Sequence, residues 1–171
     1  LPIWSTPWST LRTLQQGTGP FMRLRDIVDQ IPDDVVLAID HKTTSSEDQR
    51  NPADLQAEEQ LFEYLDTAFG GHPERRVIWK VFANGTSAAR AKARGYRTMA
   101  MRYPAEVPAA NLQQWDVIGM EWNASADVWN RINATGRPTI AHIITNEGQA
   151  RTALEKGASG LMASFPSRVH P

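Results

Sequence analysis

Short runs of apolar, β-branched residues alternate with stretches of helical periodicity along most of the chain. The first run covers residues 35–40 and follows residues 21–31, where apolar side chains recur on one helical face. Five further runs predict strands at residues 77–82, 97–103, 117–122, 139–144 and 160–164. Between consecutive runs lie five predicted helices: one that opens at Asn51-Pro52 and ends before Gly70, then residues 86–94, 108–115, 126–134 and 147–156. Asn51, Ser125 and Asn146 are the predicted N-caps of the first, fourth and fifth of these helices.

This alternation of strands and helices is typical of a parallel sheet, because a parallel connection needs a dozen or so residues to return. Strands that are apolar throughout fit a sheet covered on both faces. A doubly wound open sheet and a TIM (β/α)8 barrel both meet these conditions. An open sheet usually has a Gly-rich turn after its first strand, whereas residues 40–44 here contain no glycine. The pattern therefore favours the α/β class and a TIM (β/α)8 barrel.

The number of predicted strands is too small for a whole barrel. A complete barrel has eight strands and typically ~250 residues, whereas this sequence has 171 residues and six predicted strands. Residues 1–20 contain no run that could serve as a strand, and the sequence starts without Met. We expect residues 1–171 to form a single domain that is the C-terminal three-quarters of a barrel, with about six of the eight βα units.

Composition narrows the function classes further. An apolar fraction of 41% with 22% charged residues argues against disorder. The net charge of −1 gives no general electrostatic reason to bind nucleic acid, and no apolar run is long enough for a transmembrane segment. The absence of cysteine excludes disulfides and thiolate metal sites, and leaves the compartment open.

Polar or ionisable residues recur at the C-terminal ends of several predicted strands, as on the active-site rim of a barrel. The densest group is Asp40-His41-Lys42, in which Asp40 and Lys42 share one side of the strand and His41 takes the other. A carboxylate there suits Mg²⁺ or Ca²⁺, and an ammonium suits a phosphate oxygen. The alternative is an ordinary ion pair at a loop entrance, with His41 in solvent.

The other strand ends leave two interpretations open. Lys80 is either a second anion contact or a lysine that reaches solvent past Trp79. Glu121 is either a metal or water ligand, or the ion-pair partner of Arg102. His142 is either a catalytic group or a satisfied core histidine. The candidate substrate contacts are Lys42, Lys80, Arg102, Glu121 and Trp122, and the candidate catalytic residues are Lys42 and His142.

Several motifs, in this order, resemble the glycerophosphodiester phosphodiesterase family. The acid-x-Lys pattern of residues 35–42 is similar to that family's glutamate-x-lysine strand. Residues 8–14 and 21–28 resemble the family's sequence just before that strand. Residues 157–166 resemble its closing Gly-x-x-Gly-apolar-apolar-x-x-aromatic-Pro motif, and residues 140–146 lie where the family has Trp-Thr-Val-Asn.

The resemblance implies a phospholipase-C-like TIM barrel that uses Mg²⁺ or Ca²⁺ and two histidines as acid and base. Asp40 would then be a metal ligand and Lys42 a phosphate contact, and His142 falls where the family has a pocket tryptophan. Three departures indicate a divergent member: Asp40 in place of glutamate, His-Ile-Ile-Thr in place of Trp-Thr-Val-Asn, and Ala163-Ser164 in place of Thr-Asp.

The family's His-Arg-Gly strand, glutamate strand and His-Asp pair would all precede this sequence. We therefore expect the intact parent protein to hydrolyse a small-molecule phosphodiester, and the 171 residues alone to have no appreciable activity. The expected reaction takes a glycerophosphodiester, or a related phospholipid-derived substrate, to sn-glycerol 3-phosphate and an alcohol. We expect a bacterial protein, cytoplasmic or secreted.

Two other functions remain open at this stage. The glycines of residues 157–160 suit a phosphate-binding barrel lyase or isomerase. A catalytically dead barrel that serves in binding would also explain the altered motifs. An incomplete barrel exposes strand edges, so self-association is expected if these residues occur alone.

Overall fold

The structure, a computed structural model, describes residues 3–17, 19–41, 51–82 and 86–169, with only the backbone described for Trp4 and Gln16. These residues fall into two compact units, Leu1–Val35 and Val36–Pro171. The prediction of a single domain over residues 1–171 stays a prediction. Lys42 lies outside the described residues.

The first unit is built from short elements. A 3-10 turn at Ile3–Ser5 precedes α1 (Trp8–Leu11), the antiparallel pair β1 (Gln15–Gln16) and β2 (Gly19–Pro20), and α2 (Leu24–Val28). The predicted helix over residues 21–31 is therefore shorter than expected. The expectation that residues 1–20 contain no strand is wrong, because β1 and β2 form a two-residue ladder. This ladder is a sheet of its own and, among the described residues, is not hydrogen-bonded to the six-stranded sheet.

The second unit contains six parallel strands whose spatial order is their sequence order. They are β3 (Leu37–Asp40), β4 (Val77–Val81), β5 (Arg97–Met101), β6 (Val117–Glu121), β7 (Thr139–Ile144) and β8 (Gly160–Ala163). Consecutive parallel strands with helical crossovers form part of a TIM (β/α)8 barrel. All six predicted strands and the fold class are thus confirmed.

The helices of this unit are α3 (Pro52–Ala68), α4 (Pro73–Arg76), α5 (Thr86–Ala93), α6 (Ala126–Asn133) and α7 (Glu147–Glu155). The predicted N-caps are confirmed: the Asn51, Ser125 and Asn146 side chains each accept a hydrogen bond from a backbone N–H in the first turn. None of the helices in the described ranges is long and apolar enough to cross a membrane.

One predicted helix is wrong. Residues 108–115 contain only the 3-10 turn Leu112–Gln114, and a second such turn lies just before them at Pro104–Glu106. Asn111, in the middle of this stretch, has a backbone ψ of 88°, outside the helical region, so one continuous helix cannot form here. The single-turn helix α4 was not expected; it runs directly into β4.

Alternate residues of the strands face two different layers. Trp79, Ala100, Ile118 and Ala141 are buried on the side covered by helices. On the other side, called the inner face here, Met99, Met101 and Val117 form a buried cluster against Ile78, Ile140 and Met162. The inner face is thus apolar over the middle of the sheet.

Gly119 leaves room for a neighbouring side chain on this face. A Cβ at Gly119 would collide with the Met101 thioether, and one at Gly160 would approach Ile140 Cδ1 to 2.8 Å. Gly157 has a φ of +88° where α7 ends. Gly157 and Gly160 also suit a phosphate-binding lyase. The positive φ at Gly157 and the close packing at Gly160 explain why glycine occupies these positions without a ligand.

Candidate functional site at the carboxyl ends of the strands

Among the described residues, four ionisable side chains lie on the inner face near the carboxyl ends of their strands. Asp40 stands opposite Lys80 in the β3–β4 register, and Glu121 stands opposite His142 in the β6–β7 register. Opposed residues of neighbouring parallel strands point to the same side of the sheet. Continuing the register through β5 places both pairs on the inner face. The structure therefore brings together four of the residues that the sequence predicted.

The first pair is a direct ion pair. Lys80 Nζ lies 2.8 Å from Asp40 Oδ2, and the two side chains are only 12% and 29% exposed. The ammonium also lies 5.6 Å from the Phe82 ring centroid. A phosphate that approaches Lys80 and a cation that approaches Asp40 would each compete with the existing pair, because each would take one of its partners.

His142 lies where the sheet is irregular. The β7–β8 register runs from Ala141 opposite Leu161 to Ile144 opposite Ala163, so β7 holds one extra residue at this point. Such a bulge redirects the side chains around it and is common beside active sites.

The environment of His142 favours a neutral imidazole. Burial is the main cause of a lowered pKa for His142; nearby Lys80 lowers it further, and Glu121 opposes the shift. Its Nε2 atom is buried and has no hydrogen-bond partner among the described residues. A neutral imidazole offers one nitrogen lone pair, so His142 can accept a proton or a hydrogen bond from a ligand.

The lowered pKa of His142 makes a prediction about stability. Above about pH 6.5 the imidazole is neutral in both folded and unfolded chains. As the pH falls below that value the unfolded chain takes up the proton first, so the free energy of unfolding decreases. Urea unfolding at pH 7.5 and pH 5.5 should show a smaller decrease for His142→Gln than for the unmodified chain. His72→Gln is the control, since His72 is exposed; an equal decrease in all three proteins would contradict the prediction.

The end of β6 and the turn after it, which carry Glu121 and Trp122, are held by three donors. The buried Trp129 indole donates to the Glu121 carbonyl at 3.2 Å. Lys156, the residue directly after α7, donates from Nζ to the carbonyls of Trp122 at 3.1 Å and Ala124 at 2.7 Å. Trp122 N–H donates to the His142 carbonyl at 3.0 Å. The Glu121 end of β6 and the bulge of β7 are therefore fixed relative to each other.

Replacing Lys156 by methionine tests how much its two hydrogen bonds to the turn after β6 stabilise the protein. Methionine keeps the apolar stem but removes both charge-assisted hydrogen bonds, so the free energy of unfolding should fall by about 1.5–3 kcal/mol. Arg151→Met on α7 is the control. Arg151 is 67% exposed and pairs with Glu147 across one turn, an arrangement worth about 0.5 kcal/mol at most. If urea unfolding showed equal losses of unfolding free energy for the two substitutions, the Lys156 hydrogen bonds would contribute little to stability.

The structure does not bring Arg102 to the inner face. Arg102 directly follows Met101, so its side chain takes the other side of the sheet. Its guanidinium lies 5.5 Å from the Trp115 ring centroid and 4.0 Å from the Glu106 carboxylate. A substrate contact by Arg102 stays a prediction, as do the roles given to Lys42, Glu121 and Trp122.

The described residues do not by themselves supply a complete metal site. Across the described ranges, no group of three or more His, Asp or Glu side chains is gathered closely enough to hold a metal ion. Asp40 offers one carboxylate, and that carboxylate is paired with Lys80. Mg²⁺ or Ca²⁺ needs several oxygen ligands, so a cation bound by Asp40 would require ligands from outside the described residues.

A buried network on the helix side was missed by the sequence reasoning. Glu58 on α3 is fully buried and accepts a hydrogen bond from Ser87 Oγ at 2.7 Å, while Arg90 Nη1 lies 3.1 Å from its other oxygen. His41 Nδ1 lies 3.4 Å from Glu58 Oε2, and the His41 side chain is 13% exposed, so the alternative interpretation that placed His41 in solvent is wrong. Glu58 lies four residues before Phe62 on the buried stripe of α3, and a carboxylate in that stripe is a signal readable from sequence.

Comparison with known proteins extends the fold assignment. No protein-family model and no curated protein matches the chain. Among solved structures, it is similar to a protein of Silicibacter pomeroyi DSS-3 assigned as a glycerophosphoryl diester phosphodiesterase, with a TM-score of 0.56 and 15% identity over 85% of this chain and 54% of that one. A protein of Agrobacterium tumefaciens C58 with the same assignment gives a TM-score of 0.50 and 14% identity over 63% of this chain and 48% of that one.

The likeness shows the fold. At 14–15% identity it shows nothing finer, and the chain spans about half the length of both structures. It agrees with the six consecutive parallel strands and with the partial TIM barrel predicted from the sequence. The likeness therefore does not by itself assign an activity to the chain.

Proposed function

We propose that the intact protein containing this chain hydrolyses a phosphodiester. The proposed substrate is a glycerophosphodiester, or a related phospholipid-derived compound, and the products are sn-glycerol 3-phosphate and an alcohol. The observation that carries the proposal is the juxtaposition of the Lys80 ammonium and the half-buried His142 imidazole on one face at the carboxyl ends of parallel strands. The shared fold with two proteins assigned as phosphodiesterases supports it.

The chemistry follows from the charges on the inner face. The Lys80 ammonium attracts the phosphodiester anion, and a half-buried ammonium is more effective there than in water. Asp40 holds Lys80 in place before the substrate arrives. His142, neutral at pH 7, accepts the proton of a water molecule that attacks the phosphorus. The bond from phosphorus to the alcohol oxygen breaks, and that oxygen takes a proton from an acid, which we place in part of the intact protein outside the described residues.

We propose that Lys42 is a second phosphate contact and that a divalent cation, Mg²⁺ or Ca²⁺, has Asp40 among its ligands. Lys42 follows Asp40 by two positions, so a strand that continued through it would place both on one side. The cation would supply charge neutralisation at the phosphoryl oxygens. Titrating Mg²⁺ and Ca²⁺ into the intact protein and into its Asp40→Ala variant tests the ligand. Equal binding by both proteins would remove Asp40 from the site.

The activity itself is tested by incubating the intact protein with glycerophosphocholine and measuring released sn-glycerol 3-phosphate, with Mg²⁺ or Ca²⁺ added. We expect turnover that His142→Gln lowers by about 100-fold, since a general base typically contributes 10²–10⁴. The exposed His72→Gln substitution should leave turnover unchanged. If the intact protein releases no product under any of these conditions, the proposed function is wrong. Turnover by the 171 residues alone would overturn the expectation that they lack part of the active site.

A further inference from the structure

Glu58 is a buried charge that the proposed chemistry does not use. It lies on α3 with no exposed surface, on the helix side of the sheet. Burying a carboxylate is unfavourable unless it is well paired. Ser87 Oγ donates to Glu58 Oε2 at 2.7 Å, and Trp79 Nε1 donates to the same hydroxyl at 2.8 Å. Arg90 Nη1 lies 3.1 Å from Glu58 Oε1. The carboxylate is therefore fixed by groups on β4 and α5.

The fixed carboxylate also faces His41, the residue directly after β3. His41 Nδ1 lies 3.4 Å from Glu58 Oε2. An ionised carboxylate can only accept hydrogen bonds, so it favours a proton on the nitrogen that it faces. The His41 ring also lies against the Trp79 ring, with centroids 5.6 Å apart. His41 thus lies on the helix side, beside the Glu58 carboxylate and against the Trp79 ring.

His41 is covalently next to Asp40, whose carboxylate meets Lys80 on the inner face. Consecutive residues of an extended strand project to opposite sides, so fixing the His41 side chain fixes the direction of Asp40. We propose that Glu58 is a positioning residue: through His41 it fixes the end of β3 and so holds the Asp40 carboxylate against Lys80. The consequence for catalysis rests on the proposed function, whereas the contact with His41 does not.

The first test is the tautomer of His41, read from imidazole ¹⁵N shifts of the chain at pH 7.5. The His41 signals are assigned by their loss in His41→Phe, since the sequence has four histidines. We expect a proton on Nδ1 in the unmodified chain and a shift toward the Nε2–H form in Glu58→Gln, whose amide can also donate. Glu59→Gln is the matched control. Glu59 is the next residue, and its carboxylate pairs with Arg90 at 2.8 Å and also with Arg94, so its loss should leave the His41 signals unchanged.

The second test is turnover of glycerophosphocholine by the intact protein. We expect Glu58→Gln and His41→Phe each to lower kcat by about 10- to 100-fold with less than a twofold change in KM, because a displaced reacting group slows the chemical step. If Glu58 acts through His41, the double variant should be no slower than His41→Phe. A general loss of stability would instead appear in Glu59→Gln as well.

The outcomes separate the two proposals. An Nε2–H tautomer in the unmodified chain, or His41 signals that Glu58→Gln leaves in place, overturns the positioning role. So does normal turnover in His41→Phe, a variant that keeps the buried Glu58–Ser87–Arg90 contacts and therefore tests the role even if Glu58→Gln does not fold. Absence of turnover in the unmodified intact protein counts against the proposed function, and the tautomer then decides the role of Glu58 alone.

Discussion

Replacing Lys80 by methionine should lower kcat/KM of the intact protein for glycerophosphocholine by about 100- to 1000-fold, the usual effect of removing one fixed donor from a developing oxyanion. Methionine keeps most of the unbranched stem but removes the ammonium that stands 2.8 Å from Asp40. The loss should be large because the Lys80 side chain is only 12% exposed, so water replaces its charge poorly. Initial rates over a range of substrate concentrations measure the effect.

Lys92→Met is the matched control for this substitution. Lys92 lies on α5, and its ammonium is 5.7 Å from the centroid of the buried Trp115 ring. It should change kcat/KM by less than about twofold, because an exposed cation–ring contact contributes only ~0.5–1 kcal/mol, and to stability. Circular dichroism of both variants shows whether the fold is retained. A folded Lys80→Met protein with unchanged kcat/KM would exclude Lys80 from the phosphate site.

Replacing Trp79 by alanine should lower the free energy of unfolding by about 3–5 kcal/mol, the usual range for a buried tryptophan. Trp79 is fully buried on β4. Its ring centroid lies 4.5 Å from that of Phe62 and 6.3 Å from that of Tyr96, and its indole donates to Ser87. Since domains of this size are stable by only about 5–15 kcal/mol, this one change removes a large part of the total. Urea unfolding followed by circular dichroism measures it.

Two further variants separate packing from hydrogen bonding. Trp79→Phe keeps a ring but leaves Ser87 Oγ without the indole donor, so it should lose about 1–3 kcal/mol. Phe165→Ala removes a ring that is 48% exposed and should change the free energy of unfolding by about 0.5 kcal/mol. If Trp79→Ala proved no more destabilising than Phe165→Ala, the ring cluster around Trp79 would not be a main source of stability.

The strands were predictable because each is an apolar run bounded by polar turns. The predicted strand at residues 139–144 matches β7 at both ends, and the others differ by one or two residues. The helix caps at Asn51, Ser125 and Asn146 were also readable, since a side-chain oxygen before a helix binds N–H groups only a few residues away. The predicted helix over residues 108–115 fails at Asn111, whose backbone ψ of 88° is not helical. Asparagine competes for backbone hydrogen bonds and so favours turns, a preference that the local pattern did not reveal.

The partners of the charged residues were not predictable in the same way. From sequence, Asp40 was expected to act with Lys42, two residues away, whereas the described partner is Lys80, forty positions further along. Glu121 was a candidate partner of Arg102, but the two project to opposite sides of the sheet, and Arg102 lies beside Glu106. Neither outcome follows from local spacing, because the register between strands sets which side chains are level with each other.

The sequence by itself determined the α/β class, the six parallel strands, and the occurrence of ionisable side chains at their carboxyl ends. These features depend on the periodicity of apolar residues and on contacts between near neighbours. Only the tertiary structure decided that Asp40 meets Lys80, that His142 lies half-buried at a bulge of β7, and that Glu58 is enclosed between β4 and α5. These contacts join residues about 20–40 positions apart, and strand register together with helix packing brings them within a few ångströms.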